Sequence, residues 1–134
     1  MFDLQGTERL IAWKSFRNKL ETERDPFQSV SDFWSKAPFV HSFLSPDDPS
    51  LWPDPWHLIL DNKYDDLAIT LGICYTVALT ERFKDSRIEI HTSMFGNETR
   101  FIAVVNDQVL NYNYREVTDY SELKDQSIKI WSYN

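Results

Sequence analysis

The sequence predicts an α+β fold: N-terminal helices and one long central helix, packed on a C-terminal antiparallel sheet of three to four strands. Three observations predict it. Apolar residues recur at helical spacing up to about residue 83 and alternate from residue 87 on. The helix-start pairs Asp25-Pro26 and Asp54-Pro55 fall in the first half. The tight-turn sequences Gly96-Asn97 and Asn106-Asp107 fall in the second. The 134 residues are one domain's worth of chain. Charge marks no boundary, because residues 1–60 carry six basic and nine acidic side chains and residues 61–134 carry eight and twelve. Residues 1–134 are therefore read as a single domain. Residues 1–60 form a helical and Pro-rich docking region, and residues 61–134 form the long helix and an antiparallel meander.

Taken in order, Leu10, Trp13, Phe16 or Arg17, and Leu20 follow a helical period, with Thr7 as N-cap and Glu8 in the first turn. Asp25-Pro26 opens a second helix with the stripe Phe27, Val30, Phe33, Trp34, and Pro38 ends it. The segment Ser45–Pro55, SPDDPSLWPDP, holds four prolines and reads as an extended, turn-rich connector. Asp54-Pro55 launches WHLIL. After a break near Asp61-Asn62, the longest helix is expected from about Tyr64 to Phe83, apolar on most sides. Gly72 in its middle costs about 1 kcal/mol against alanine, which predicts a close contact with another backbone. Strands are expected at Arg87–Ser93, Thr99–Val105 (central), Val109–Tyr114 and Ser127–Tyr133.

Composition narrows the function. Twenty aromatic residues, 15% of the chain, exceed what a core of this size needs, so some belong to an interface or groove. No stretch approaches the length and apolarity of a membrane-spanning helix. The N-terminus lacks the pattern of a secretion signal. One cysteine excludes a disulfide framework and a Cys-based zinc site. The net charge of −7 argues against binding phosphate backbones. No cofactor and no metal are expected: the three glycines are too scattered for a phosphate loop, and no EF-hand spacing occurs.

Three constellations carry chemistry. Cys74, His91 and a later Asn111, Asn106 or Asp107 occur in the order nucleophile, base, orienter used by thiol enzymes. Against this, Cys74 falls about ten residues into the long helix, where a thiol behaves as a small apolar group. Asp47, Asp48, Asp54, Asp61, Asp65 and Asp66 crowd one region and could hold a divalent cation, although caps and turns also use aspartate there. Trp52-Pro53-Asp54-Pro55-Trp56-His57 forms a stiff aromatic ridge, suited either to a partner or to covering the core. His41 and His57 lack a partner at metal spacing. Asn97-Glu98-Thr99 is a glycosylation sequon that matters only in a secretory pathway.

The motifs Trp52-Pro53-Asp54-Pro55-Trp56 and Leu71-Gly72-Ile73-Cys74-Tyr75-Thr76 carry a resemblance, over about residues 30–110, to uncharacterised proteins of tailed bacteriophages of the myovirus and cyanophage type. It implies a virion part from the neck, tail or baseplate. A second resemblance is to the transglutaminase-like core, in which a helix begins at a C-x-D-x-A signal and later strands supply His and Asp. Here Lys63-Tyr64-Asp65-Asp66-Leu67-Ala68 stands in that place, with Tyr64 or a neighbour at the nucleophile's position and no His opening the next-but-one strand. That implies a shared fold with a lost, degenerate active site.

The leading expectation is thus a non-enzymatic structural subunit of a phage virion, made in the host cytoplasm. It would bind other phage structural proteins, or its own copies in a symmetric ring, but neither nucleic acid nor membrane. Its contacts would come from Trp52, Pro53, Pro55, Trp56, Tyr112, Tyr114, Trp131 and Tyr133. The alternatives are a thiol-dependent hydrolase or transglutaminase-like enzyme using Cys74 and His91, and a small acidic phage regulatory protein binding a host protein.

Overall fold

The computed structural model describes residues 1–123 and 126–134. Among them are four α-helices and five strands, an α+β fold with one strand more than expected. The helices are α1 (Thr7–Leu20), α2 (Pro26–Trp34), α3 (Pro55–Asp61) and α4 (Asp66–Ala78). The strands are β1 (Ile88–Phe95), β2 (Glu98–Val105), β3 (Gln108–Leu110), β4 (Val117–Asp119) and β5 (Ser127–Ser132). All pairings are antiparallel, in the order β4-β3-β2-β1-β5.

Local chemistry explains most boundaries. Pro26 and Pro55 open α2 and α3, as their fixed φ favours. The Asp54 carboxylate caps α3 by accepting from the His57 N–H at 2.8 Å. Asn62 ends α3 in the left-handed region at φ 53°. At the first helix, Gly6 rather than Thr7 occupies the cap position, and Thr7 is the first helical residue. In the hairpin between β1 and β2, Gly96 supplies the positive φ of 61° that the two-residue turn requires.

The central helix is shorter than the sequence predicts. Asp65 caps it, accepting from the Ala68 N–H at 2.8 Å, so Tyr64 lies outside. At its far end the Thr80 hydroxyl donates to the Val77 carbonyl, and the Glu21 carboxylate accepts from the Glu81 and Arg82 N–H groups at 2.8 and 2.9 Å. These partners compete with a further helical turn. Every residue from Leu67 to Val77 except Ile69 is buried, because the sheet covers one side of α4 and α2 and α3 cover the other. Gly72 meets an indole, not a backbone. A methyl built on it would lie 2.5 Å from Cζ2 of Trp34.

The expected strand over 109–114 ends at Leu110. Asn111 turns the chain with φ 67°, so Tyr112 and Tyr114 lie beyond β3. Strand β4, in a polar stretch, was not expected. Nor is the sheet a simple meander: β5 pairs with β1, at the edge opposite β4, with an irregular register at Ile90/His91. The inner sheet face contributes Ile88, Ile90, Ala103, Val105 and Leu110 to the main core. The outer face buries Ile102, Val104, Val109 and Leu123 under Tyr112 and Tyr120.

Candidate functional site

The head of α4 gathers a cluster of polar side chains. Asp65 points back into the fold. Besides capping Ala68, its carboxylate accepts from the N–H groups of Phe43 and Leu44 at 2.8 and 3.0 Å, pinning the connector to the helix. Asp66 reaches the sheet, where Arg100 on β2 grips it through Nε at 3.2 Å and Nη2 at 3.3 Å. The Phe101 N–H donates to it at 2.8 Å. The Asn111 side-chain amide lies 3.0 Å from Asp66 Oδ1, Thr70 Oγ1 and the Phe101 carbonyl. The left-handed turn at Asn111 aims that amide inward, which places a strained backbone at the site.

Beside this cluster lies a cavity of about 260 Å³ between α2, α4 and the loop after β3. Trp34, Ile69 and Ile73 form its apolar wall, and Arg100, Asn111 and Arg115 its polar side. Two aromatic side chains stand at its rim, Phe39 (60% exposed) and Tyr114 (76%). Arg115 is fixed by Asp32 at 3.3 Å, while Gln28 donates to its carbonyl at 2.8 Å. The loop is thereby latched to α2.

Just before the Asp65 cap of α4, where the C-x-D-x-A resemblance puts its cysteine, stands Tyr64. It is 0% exposed, packed edge-on against Trp34 and Phe2, and its hydroxyl donates to the Leu58 carbonyl at 3.4 Å. Burial pushes its phenol well above the ordinary range, so it stays neutral. Nothing at the head of α4 provides a thiol.

Cys74, His91 and Asn111 are not brought together. Cys74 is sealed beneath the sheet, its Sγ–H reaching only the Glu89 carbonyl at 3.8 Å, and burial pushes the thiol upward in pKa. His91 follows Ile90 on β1, so alternation turns it to the outer face. There it contacts Glu89, Ser127 and Tyr120. The sheet therefore separates thiol from imidazole. Asn111 joins Asp66 instead of orienting a base. Asn106 shapes the turn after β2 at φ 53° and accepts from the Arg87 N–H at 3.0 Å, and Asp107 sits exposed in the same turn.

The carboxylates of 47–66 divide by local duty. Asp48 bonds the Ser50 N–H, Asp54 and Asp65 cap helices, and Asp66 holds Arg100. The His57 N–H, then its ring, hold the Asp54 carboxyl below its ordinary range. Among the described residues no group of three or more His, Cys, Asp or Glu side chains is placed to hold a metal ion. No described helix is long and apolar enough to cross a membrane.

The tryptophan–proline segment is not one ridge. Trp52 is buried, donates to the Ser45 carbonyl at 2.7 Å and lies tilted against Trp131, ring centroids 5.8 Å apart. Pro53 accepts from the Tyr75 hydroxyl at 2.8 Å. Trp131 and Tyr133 complete that cluster around Tyr75. Pro55 begins α3, and Trp56, 46% exposed, faces the other way, toward Trp13 and Arg17. Tyr112 packs on Phe95 at 4.6 Å. Of the eight aromatic and proline positions expected to meet a partner, Tyr114, Trp56 and Tyr133 are exposed.

Sequence reasoning missed Arg100 and passed over Asp66 as one of a crowd. The available signal was Asp66 itself, which stands at the Asp of the C-x-D-x-A pattern.

No protein-family model matches the chain, and no curated protein matches it. Solved structures do. Legionella pneumophila LapG in its calcium-bound form aligns with a TM-score of 0.68 and 15% identity, over 98% of this chain and 78% of that one. The EGTA-treated form gives 0.69 and 17% over 98% and 76%. A third LapG structure gives 0.67 and 15% over 98% and 78%. At these identities the likeness is one of fold, and it agrees with the transglutaminase-like resemblance read at Lys63–Ala68. It overturns the expected tailed-phage virion subunit: these three structures are of Legionella pneumophila LapG, and nothing supports a neck, tail or baseplate component.

Proposed function

We propose that this chain is a transglutaminase-like domain that binds a polypeptide segment in the cleft at the head of α4, without thiol chemistry there. One observation carries the reading: the residue just before the Asp65 cap of α4 is the sealed Tyr64, while the chain's single thiol, Cys74, is buried against the inner face of the sheet, with His91 on the outer face. LapG is a transglutaminase-like cysteine protease, so the fold supports a polypeptide as the ligand class. The rim aromatics Phe39 and Tyr114 and the apolar wall of Trp34 and Ile73 suit an apolar side chain of an extended peptide. The polar side offers Asn111 and Asn113 to its backbone.

The test uses short synthetic peptides, each with one Phe or Leu in a Gly/Ser background, added to the full chain. Amide NMR shifts are expected at Ala37, Ile69 and Asn113, with the peptide masses unchanged. Tyr114→Ala should weaken binding about tenfold, the loss of one interfacial aromatic anchor. Peptide cleavage that disappears in Cys74→Ala would instead establish the thiol enzyme.

A further inference from the structure

The outer sheet face holds a second arrangement, independent of the cleft. We propose that Ser127, His91 and Glu89 form a serine-type acyl-transfer site acting on small esters. His91 Nε2 lies 2.9 Å from Glu89 Oε1, and its Nδ1 lies 2.9 Å from Ser127 Oγ. In the tautomer with its proton on Nε2, facing the carboxylate, Nδ1 is left to accept from the serine hydroxyl. That is the relation of nucleophile, base and orienting carboxylate that activates a hydroxyl.

The strands position all three. Glu89 and His91 are two apart on β1 and share a face, and Ser127 enters from edge strand β5. The His91 side chain is 5% exposed, and Tyr120 lies edge-on against its ring at 5.6 Å, which limits the ring's rotation. Glu89 is held a second time by Lys129, at 3.8 Å. Ser127 itself is only partly buried. Directly across the ladder from Ser127 stands Ser93, whose Oγ is buried and has no hydrogen-bond partner among the described residues. A buried hydroxyl without a partner is costly. Beside a nucleophile it is a free donor for the oxyanion that forms in acyl transfer.

The step balances without a cofactor. Ser127 Oγ attacks the ester carbonyl carbon while its proton passes to His91 Nδ1. The tetrahedral oxyanion collapses, the carbon–oxygen bond to the alcohol breaks, and the alcohol leaves with that proton. Water then attacks the acyl-serine, giving its proton to His91. The carboxylic acid departs, and Ser127 regains its hydrogen. Glu89 acts through His91 and is a positioning residue.

The full-length chain is treated with a fluorophosphonate probe, and the adduct is mapped by mass spectrometry. p-Nitrophenyl acetate hydrolysis is followed in parallel. The expected result is one adduct on Ser127, absent in Ser127→Ala, slowed about a hundredfold in His91→Gln and unchanged in Cys74→Ala. Glu89→Gln should slow labelling without moving the adduct from Ser127, and Glu89→Asp should restore most of the rate. Ser127 labelling no faster than other exposed serines in the unmutated chain overturns the proposal, whether or not the His91 variant folds. Labelling that survives His91→Gln in a folded variant does so too.

Discussion

At residue 72 two effects compete. Alanine gains about 1 kcal/mol over glycine in a helix interior, but its methyl would lie 2.5 Å from Trp34 Cζ2 and 2.6 Å from Cζ3. The indole has little room to yield. It packs against Phe2, Phe33 and Tyr64, and its N–H donates to Thr76 at 2.9 Å. Overpacking should win, so Gly72→Ala is expected to lose about 1–3 kcal/mol in urea unfolding. Titration adds a second residue-scale effect. Burial raises the Cys74 thiol above its ordinary 9.0, and burial raises the Tyr75 phenol from 10.0 to about 12. In both, the folded state favours the protonated form. The stability they contribute is complete below about pH 9 and falls as pH rises, first as the unfolded thiol ionises and then as the unfolded phenols do. A single linked group gives a slope of about 1.4 kcal/mol per pH unit. Tm measured from pH 8 to 10.5 should therefore fall, and Cys74→Ala should flatten the part that begins near pH 9.

At the scale of elements, one hydroxyl ties three helices together. The indole N–H groups of Trp13 on α1 and Trp34 on α2 donate to Thr76 Oγ1 on α4, at 3.0 and 2.9 Å. Thr76 in turn donates to the Gly72 carbonyl at 2.6 Å. Valine at 76 keeps the volume but strands two buried donors, each costing about 1–3 kcal/mol. Thr76→Val should destabilise by about 2–5 kcal/mol in chemical unfolding, while Thr76→Ser stays near the parent. Such ties also explain what could be read in advance. Helix starts were legible at Asp25-Pro26 and Asp54-Pro55, because proline geometry is local. The far end of α4 was not, since Glu21 reaches it from 60 residues away. Strand β3 stopped early because Asn111 is recruited by Asp66 and Thr70, partners 45 and 41 residues away. The site was legible only at Tyr64 and Asp66, where the pattern is short. Arg100 belongs to it by register alone.

Over the whole molecule, burial is graded outward from the pairing of α4 with β2. Ile102 to Val105 are fully buried at the centre of the sheet, and Ala103 to Val105 are paired on both sides, with β1 and with β3. Residues 39–51 are almost entirely exposed and are tied down at few points: Val40 to the Tyr64 carbonyl, and Phe43 and Leu44 to Asp65. Amides protected by burial and by bonds on both sides exchange only through global unfolding, whereas amides held by one partner exchange through local opening. Hydrogen exchange should thus rank Ile102–Val105 and the middle of α4 slowest. The amides of Phe43 and Leu44 should be faster by orders of magnitude. Asp65→Ala then separates the two tiers. It removes both connector bonds and the α4 cap, which alone is worth about 1 kcal/mol. Protection at Phe43 and Leu44 should vanish, while β2 amides slow or quicken only with the global stability. Equal acceleration at both places would mean that connector and core open as one unit, and that the wall Phe39 lends the cleft is as rigid as the sheet.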